Sequence, residues 1–247
     1  MRYLILADMH GNWHALSTVL EHAADQGYDA ALILGDLVGY GASPNDVVGA
    51  LRELPVPKHF VRGNHDKVAA GITDGRGFNP TALSAARWTR AELSSDNLEF
   101  VRELPEGPAT IEPGLVICHG TPFDEDEYLL SAGHAEEIFE AQPGLWTFFG
   151  HTHLPSLFHR PGGHVEASLL DGAEQTLQVQ AGADFLLNPG SVGQPRDRDP
   201  RAAYMVLDTE TSQVHHFRVE YPIVEAQQEI RQAGLPDALA DRLVLGI

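Results

Sequence analysis

The chain has 247 residues, which is enough to bury a full hydrophobic core as one large domain. Its 35 acidic residues against 16 basic ones give a formal charge of −19, which repels nucleic acid backbones and disfavours nucleic acid as a partner. Cys118 is the only cysteine, so an intrachain disulfide and a thiolate metal cluster are excluded. No apolar run is long enough to cross a bilayer, and Asp8 interrupts the first one, so we expect a cytoplasmic protein without a membrane partner.

The first part of the chain alternates strand-like runs with helical patterns. Apolar residues at helical spacing predict a helix over 12–27, which Gly27 would end, and a second over 46–54. Pro44 suits the start of the second helix, and Ser43 is placed to cap it. Strands are predicted over 3–7, 30–34 and 59–61. This alternation predicts a largely parallel sheet with right-handed crossovers.

The later part of the chain has a different pattern. The stretch 80–104 predicts two helices inserted between strands, and the tail from 223 predicts two short helices. Short strands separated by Pro/Gly turns predict a second, mainly antiparallel sheet from 156–159, 174–180, 185–187, 202–207 and 215–219. We therefore expect one domain over 1–247, with a helical insert at about 78–105 and a helical tail at about 223–245.

Five apolar runs, over 3–7, 30–34, 59–61, 115–118 and 146–149, are each followed by residue types that bind transition metals. Open α/β folds place such residues together at the carboxyl edge of a sheet. The seven candidates are Asp8, His10, Asp36, Asn64, His119, His151 and His153. Nitrogen and oxygen donors without sulfur suit Mn²⁺, Fe, Zn²⁺ or Ni²⁺. Seven ligands exceed the needs of one tetrahedral ion, whereas two ions about 3.5–4 Å apart could share a carboxylate and act on phosphorus.

The order of these residues resembles the five-block signature of the calcineurin-like metallophosphoesterase superfamily. The blocks read Asp-x-His, Gly-Asp, Gly-Asn-His-Asp, His-Gly and Gly-His-Thr-His, and the segments 35–41, 149–155 and 188–196 resemble its small bacterial and archaeal phosphodiesterase branch. The resemblance implies an α/β fold built as a four-layer αββα sandwich. Two mixed sheets would be flanked by helices, with a dinuclear metal site at the C-terminal strand edge.

The resemblance also implies two divalent metal ions, with Mn²⁺ preferred over Fe, Zn²⁺ or Ni²⁺. Their ligands form two sets that share one bridging carboxylate: Asp8, His10 and His153 for the first ion, Asn64, His119 and His151 for the second, and Asp36 for both. A hydroxide shared by the metals would be the nucleophile. His65 matches the non-ligand histidine that contacts the phosphate and can protonate the leaving oxygen. Asp66 follows it in sequence, and whether it orients His65 is left open.

One departure from the superfamily pattern concerns the substrate. Protein phosphatases of the superfamily carry an acid–arginine pair in the second block, where this chain has Gly39 and Tyr40. The difference favours small phosphodiesters or nucleotides over phosphoproteins, and the role of Tyr40 is left open. Arg196 is a candidate phosphate contact beside Asn64 and His65, although the segment 196–199 equally fits a solvated turn with internal ion pairs.

Three further features admit two readings each. Asn12 either contacts phosphate or caps the first helix, and capping is the commoner use of asparagine there. The acidic run 124–127 either repels highly charged substrates or is a solvated loop. Phe78, Asn79 and Trp88 either line the substrate pocket or, as is usual for aromatic residues of an amphipathic helix, belong to the core.

The leading hypothesis for function is a metal-dependent phosphodiesterase whose partner is a small phosphorylated substrate. A second hypothesis keeps the same site but has it hydrolyse monoesters, as in nucleotidases, or dinucleoside polyphosphates. A third is a non-catalytic scaffold of the same fold, as in the retromer subunit that the chain resembles. That reading predicts loss of ligands, whereas all seven are present together with His65. The oligomeric state is left open, with a homo-oligomer as one alternative.

Overall fold

The computed structural model describes residues 1–247, with twelve strands and eight α-helices. The strands are β1 (Arg2–Leu6), β2 (Ala30–Ile33), β3 (Lys58–Phe60), β4 (Ala109–Glu112), β5 (Leu115–Ile117), β6 (Trp146–Phe148), β7 (Ser156–His159), β8 (Glu166–Leu169), β9 (Glu174–Gln178), β10 (Phe185–Asn188), β11 (Ala202–Asp208) and β12 (Gln213–Val219). The helices are α1 (Trp13–Gln26), α2 (Pro44–Glu53), α3 (Asn64–Ala70), α4 (Pro80–Glu92), α5 (Ser95–Arg102), α6 (Ala132–Ala141), α7 (Ile223–Gln232) and α8 (Asp237–Leu245). No helix is both long enough and apolar enough to span a membrane.

The strands form two mixed sheets of six. The first has the order β3-β2-β1-β11-β12-β9, and its strands β1, β2 and β3 are parallel, as the alternating pattern predicts. The second has the order β4-β5-β6-β10-β7-β8, with β5, β6 and β10 parallel and the outer strands antiparallel. Three parallel strands thus lie in each sheet, and they carry the residues of the site.

The prediction that the late strands form a separate sheet is wrong in part. Only β7, β8 and β10 lie in the second sheet, whereas β9, β11 and β12 complete the first. Strand β11 pairs antiparallel with β1, where Leu4 lies opposite Val206. Strand β1 is buried on both faces, so its free edge needs a hydrogen-bonding partner, which β11 provides. Sequence spacing does not show which edge an antiparallel strand will cover.

The alternation of side chains along β1 shows how the layers pack. Leu4 and Leu6 point to one face and pack in a core with α1 and α2, while Tyr3 and Ile5 point to the other face and pack against the second sheet. A third cluster lies between the outer face of the second sheet and α6, with Ile138 against that sheet. The order is therefore helix, sheet, sheet, helix, which confirms the four-layer αββα sandwich with two mixed sheets.

Of the capping predictions for the N-terminal ends of α1 and α2, the first is correct and the second is wrong. The side chain of Asn12 accepts a hydrogen bond from the Ala15 amide at 3.2 Å, so it caps α1 as expected. Helix α2 does begin at Pro44, but Ser43 makes no side-chain cap. Its hydroxyl instead donates to Glu229 at 2.7 Å and ties the start of α2 to α7. A tertiary hydrogen bond has taken the place of the local one.

The burial of the His216 side chain on β12 predicts that the folded state loses stability in acid. Burial, with a further contribution from the Arg218 charge, lowers the pKa of His216 to about 4 from an ordinary value near 6.5. Above pH 6.5 the ring is neutral in the folded and the unfolded chain. As the pH falls from 6.5 toward 4, the unfolded chain takes up the proton first, so the folded state loses stability over that interval.

We therefore expect His216→Met to reduce the loss of stability on acidification. Wild type should lose about 2 kcal/mol more unfolding free energy than the variant between about pH 7 and about pH 5, as urea titration would measure. His215, on the same strand, is partly exposed and serves as the control, since His215→Gln should keep the wild-type dependence. An identical pH dependence for wild type and His216→Met would contradict the role of burial.

Candidate metal centre

The seven predicted ligands come together at the carboxyl ends of the parallel strands. Asp8 and His10 follow β1, Asp36 follows β2, and Asn64 begins α3 just after β3. His119 follows β5, while His151 and His153 follow β6. Two compact groups result: one holds Asp8, His10, Asp36 and His153, and the other holds Asp36, His119 and His151, with the potential ligand atoms of each group within 4.8 Å of one another. Asp36 is common to both groups.

Asn64 is the seventh residue, and it lies with the second group. Its side-chain oxygen is 3.3 Å from Nε2 of His119. The main-chain N–H of the next residue, His65, donates to Oδ1 of Asp36 at 2.8 Å, so the start of α3 is fixed against the shared carboxylate. The structure therefore brings all seven predicted residues into one site.

The backbone at this site is strained. Five of the seven residues adopt left-handed conformations, with φ of 55° at Asp8, 49° at His10, 52° at Asp36, 65° at His151 and 58° at His153. Non-glycine residues rarely adopt this region, and such strain collects where function demands it. Main-chain bonds hold the bends, including His10 N–H to the Asp36 carbonyl at 2.9 Å. Flanking glycines in the sequence indicated sharp turns but not that the ligands themselves would be strained.

Hydrogen bonds to main-chain carbonyls orient three of the histidine rings. Nδ1 of His10 faces the Val38 carbonyl at 3.1 Å, Nδ1 of His153 faces the Gln194 carbonyl at 2.6 Å, and Nδ1 of His119 faces the Leu34 carbonyl at 2.7 Å. A carbonyl only accepts, so each Nδ1 carries the hydrogen in the neutral ring. Each Nε2 then presents a lone pair toward the centre of the site, which is how metal-binding histidines are usually held.

These orientations fit bound cations. Nε2 of His10 and Nε2 of His153 lie 3.1 Å apart, and two lone pairs at that distance cannot hydrogen-bond to each other. Oδ2 of Asp8 is buried without a hydrogen-bond partner. A cation among these three atoms would satisfy all of them. In the second group the Nε2 of His119 faces the side-chain oxygen of Asn64 at 3.3 Å. Burial disfavours a charge on His119, but the Asp36 carboxylate raises its pKa to about 10, so a second cation would take the place of the proton on Nε2.

The electrostatics also favour metal binding. Burial lowers the pKa of His10 and His153 well below the usual range and that of His151 to about 3, so these rings are neutral at pH 7. A neutral ring has the lone pair that a metal requires. Burial opposes ionisation of Asp36, but the adjacent histidines, His119 first, hold its pKa well below the ordinary carboxyl value. The shared residue is therefore a carboxylate at neutral pH.

His65 lies beside the two groups without belonging to either. Its ring contacts those of His10, Tyr40 and Phe78, with centroid distances of 4.8, 4.3 and 4.6 Å. Nδ1 of His65 is buried and has no hydrogen-bond partner. The ring packs directly on Gly39, where a Cβ would come within 2.6 Å of Nδ1. The position therefore has no space for the acid that pairs with this histidine in protein phosphatases.

Asp66 does not bond to the neighbouring His65 ring. Its two carboxylate oxygens accept from the main-chain N–H groups of Gly63 at 2.9 Å and Val38 at 3.2 Å. Asp66 thus ties the turn before α3 to the turn after β2. Burial, with a contribution from the charge of Asp36, raises its pKa to about 7.

A cavity of about 450 Å³ opens next to the centre and is bounded by Asn64, His65 and His151. Phe78 precedes α4 and lines this cavity together with Asn79, whereas Trp88 within α4 packs in the helical core layer. Phe78 therefore fits both readings, because it packs against the core as Trp88 does and, lying outside the helix, also lines the cavity.

Tyr128 adjoins the site although nothing in the sequence predicts it there. Its ring stacks on that of His151 with a centroid distance of 3.9 Å and an interplanar angle of 19°, and it also lines the cavity. The only sequence indication is its position just after the acidic run, which follows His119. A stacking contact across a loop leaves no spacing pattern that could have predicted it.

The acidic run 124–127 is held by ion pairs. Lys67 pairs with Glu125 at 2.8 Å and with Asp126 at 2.6 Å, and Arg62 also pairs with Glu125. The carbonyl of Asp126 lies 3.1 Å from Nε2 of His151, which leaves Nδ1 of that ring to face the centre. The reading of this run as a solvated loop is thus incomplete, because the run also orients a candidate ligand.

Arg196 is oriented toward the site. Its Nη2 lies 3.1 Å from the side-chain oxygen of Gln194 and 3.5 Å from the Tyr40 hydroxyl. The neighbouring acids bind elsewhere, since Asp197 pairs with Arg218 and Asp199 pairs with Arg201. The alternative of a turn with internal ion pairs is therefore wrong, and Arg196 keeps a charge without an acidic partner.

A pair of cation sites sharing one carboxylate, at the edge of an αββα sandwich, is an arrangement used by metal-dependent hydrolases that act on phosphoric esters. The chain belongs to the calcineurin-like phosphoesterase superfamily, whose domain model matches residues 1–212. Members of this family depend on divalent metals, and the chain is accordingly a hydrolase of phosphoric ester bonds.

Individual relatives agree with this assignment. An uncharacterized protein of Methanocaldococcus jannaschii is 33% identical over 98% of this chain and 97% of its own length. Phosphodiesterase YfcE of Escherichia coli K12 is 25% identical over 87% of this chain and 91% of its own length. The crystal structure of a metallophosphoesterase from Sphaerobacter thermophilus covers 100% of this chain and 99% of its own, with 37% identity and a TM-score of 0.87.

Proposed function

We propose that this protein hydrolyses small phosphodiesters with two divalent metal ions, Mn²⁺ being the preferred metal. The observation that carries the choice of diesters is the packing of His65 on Gly39, which leaves no room there for the acid that pairs with this histidine in protein phosphatases, while Tyr40 stands in the place of the arginine that follows that acid. A phosphomonoester dianion is best bound by a bidentate arginine, and a diester carries one negative charge fewer. The relative YfcE, named a phosphodiesterase, supports the same choice.

The seven ligands divide between the two metals according to the two groups described above. Asp8, His10 and His153 would hold one metal, Asn64, His119 and His151 the other, and Asp36 both. When bound, such a pair activates water and stabilises negative charge that develops at phosphorus. The protein's own contribution is orientation, because carbonyl bonds to the histidine rings fix the direction of each lone pair before a substrate arrives.

His65 is proposed to act on the substrate itself. Burial lowers its pKa to about 4, so the ring is neutral at pH 7. A bound phosphate would place negative charge next to the ring and favour its protonated form. His65 would then donate to a phosphate oxygen and pass its proton to the leaving oxygen. Asn64 and Arg196 are proposed to contact the same phosphate.

The cavity is suited to an organic ester group. Phe78 and Tyr128 contribute aromatic faces to its wall, close to His65 and His151 respectively. A flat apolar group, such as an aromatic alcohol or a nucleobase, would stack on such faces. Some of the charged side chains in the same wall neutralise each other, since Lys67 forms an ion pair with Asp126. The lining of this cavity therefore favours an uncharged ester arm next to the reacting phosphate.

A comparison of substrates tests the proposal. With added Mn²⁺, we expect kcat/KM for bis(p-nitrophenyl) phosphate to exceed that for p-nitrophenyl phosphate by at least about 10-fold, which corresponds to about 1.4 kcal/mol in transition-state binding. Diadenosine tetraphosphate serves as a third substrate. Faster turnover of the monoester or of the tetraphosphate would contradict the diesterase proposal in favour of those activities. Full metal loading without turnover of any of the three would indicate a scaffold.

A further inference from the structure

Two arginines that pair with no acidic side chain flank the ring of Tyr40, next to the metal centre. The guanidinium carbon of Arg196 is 5.8 Å from the ring centroid, and that of Arg242, on α8, is 5.9 Å from it. Most arginines near acids in this acidic chain are paired, as Arg218 is with Asp197. Neither Arg196 nor Arg242 pairs with an aspartate or glutamate side chain, although the chain carries a formal charge of −19.

The hydrogen-bonding groups of these two arginines are largely unused by the protein. Nε of Arg196 is buried without a partner, and its Nη2 contacts only the neutral oxygens of Gln194 and Tyr40. Nε of Arg242 donates to the carboxyl group of Ile247, the last residue of the sequence, so one side of this guanidinium is already bound. Its two Nη groups bond to no protein atom. The buried Nε of Arg196 is therefore an unpaired donor, which is costly, and the Nη groups of the half-buried Arg242 remain free to bind an anion.

The two guanidinium groups oppose each other electrostatically. Burial, and then the charge of Arg196, lower the pKa of Arg242. Arg196 is close enough to the centre for its charge to disfavour protonation of His10, His65 and His153. Both guanidinium groups adjoin the Tyr40 ring, and the main-chain N–H of Arg196 donates to the carbonyl of the candidate ligand His153 at 3.4 Å.

Two cavities that share lining residues lie beside these arginines and the metal centre. Arg242 lines a cavity of about 530 Å³ together with Tyr40 and Asn79. Tyr40 and Asn79 also line the 450 Å³ cavity that holds His65 and His151. Tyr40 thus separates two adjoining cavities, and it is held in a left-handed conformation with φ of 57°. For an aromatic residue this backbone is strained, which points to a function for the position of its ring.

We propose that Arg242 binds a second, non-reacting phosphate of the substrate, while Arg196 contacts the reacting one. The inference rests on the proposed function and narrows its substrate class to phosphodiesters that carry an additional phosphate group. The reacting phosphate lies at the metal centre, and the second one lies beyond Tyr40 with the Nη groups of Arg242. Guanidinium groups bind phosphate through charge-assisted, often bidentate hydrogen bonds. An otherwise acidic surface would make this local pair of cations selective for such a group.

The first test measures binding directly and does not require turnover. Inorganic phosphate is titrated into the full chain by calorimetry, for wild type, Arg242→Gln and Arg198→Gln. Arg198 is exposed, lies two positions from Arg196 and provides the matched loss of one charge. We expect wild type and Arg198→Gln to show a phosphate site that Arg242→Gln weakens by at least about 10-fold. Equal phosphate binding in all three proteins would overturn the proposal.

The second test measures substrate preference. Linear dinucleotides with and without a 5′-phosphate are compared as substrates of the same three proteins. Wild type and Arg198→Gln should prefer the phosphorylated dinucleotide, and Arg242→Gln should reduce that ratio of kcat/KM by at least about 10-fold. An unchanged ratio in Arg242→Gln would overturn the proposal. If neither dinucleotide is hydrolysed by wild type, the diesterase proposal fails, and the calorimetry still decides the phosphate site.

Discussion

Asp36→Asn is expected to abolish most of the activity by disrupting metal binding. Asp36 is the residue common to both ligand groups, and its Oδ2 lies 3.5 Å from Nε2 of His10 and from Nε2 of His119. An amide presents one oxygen and no charge, so it cannot bridge two cations as a carboxylate does. Losing the metal pair should cost about 4 kcal/mol of transition-state stabilisation, or about 10³-fold in kcat/KM. Metal analysis of the purified variant should find fewer than two ions per chain.

Asp66→Asn is the matched control for this prediction. Asp66 is also a buried acid, but its oxygens accept from main-chain N–H groups rather than facing the ligand rings. We expect the variant to keep both metals while losing stability of about 1–3 kcal/mol, because an amide N–H would face a main-chain donor. Full metal content and activity in Asp36→Asn would contradict the role given to the shared carboxylate.

His65→Ala is expected to have the opposite pattern: loss of turnover with both metals retained. The ring belongs to neither ligand group and contacts the centre only through its packing on His10. Its removal deletes a phosphate contact and proton donor, which should lower kcat by about 10²–10⁴-fold. Metal content and kcat would be measured on the same preparation, so that a loss of metal is not mistaken for a loss of chemistry.

His59→Ala controls for the loss of a histidine near β3. His59 is exposed on that strand and points away from the core, so we expect its variant to keep wild-type metal content and turnover. If His65→Ala instead lost one or both metals, His65 would have to be reassigned as a ligand. If it kept full turnover, the proposed donor role would be wrong.

The site was predictable from sequence because its residues follow a rule of the fold. Parallel strands bring their carboxyl ends to one edge, so Asp8 after β1 and Asp36 after β2 had to meet once the strands were recognised. His119 follows β5 in the second sheet and joins them because the two sheets stack. The boundaries of α1 were equally accessible, because Asn12 and Gly27 act locally at its two ends. Prediction succeeded where short-range chemistry and strand order decide the outcome.

The remaining features depend on contacts between residues distant in sequence. The pairing of β11 with β1 is set by which edge of the first sheet lacks a partner, and the hydroxyl of Ser43 bonds to a residue 186 positions away. Tyr128 and Arg242 reach the site from a loop and from the last helix, respectively. Neither residue belongs to a motif, so only packing in three dimensions reveals that they adjoin the metal ligands.

The most direct measurement of the central claim is an anomalous difference map from crystals of the wild-type chain grown with Mn²⁺. We predict two peaks about 3.5–4 Å apart, both in contact with the Asp36 carboxylate. One should lie among Asp8, His10 and His153, and the other among Asn64, His119 and His151. A single peak, or two peaks that do not share Asp36, would contradict the two-metal centre.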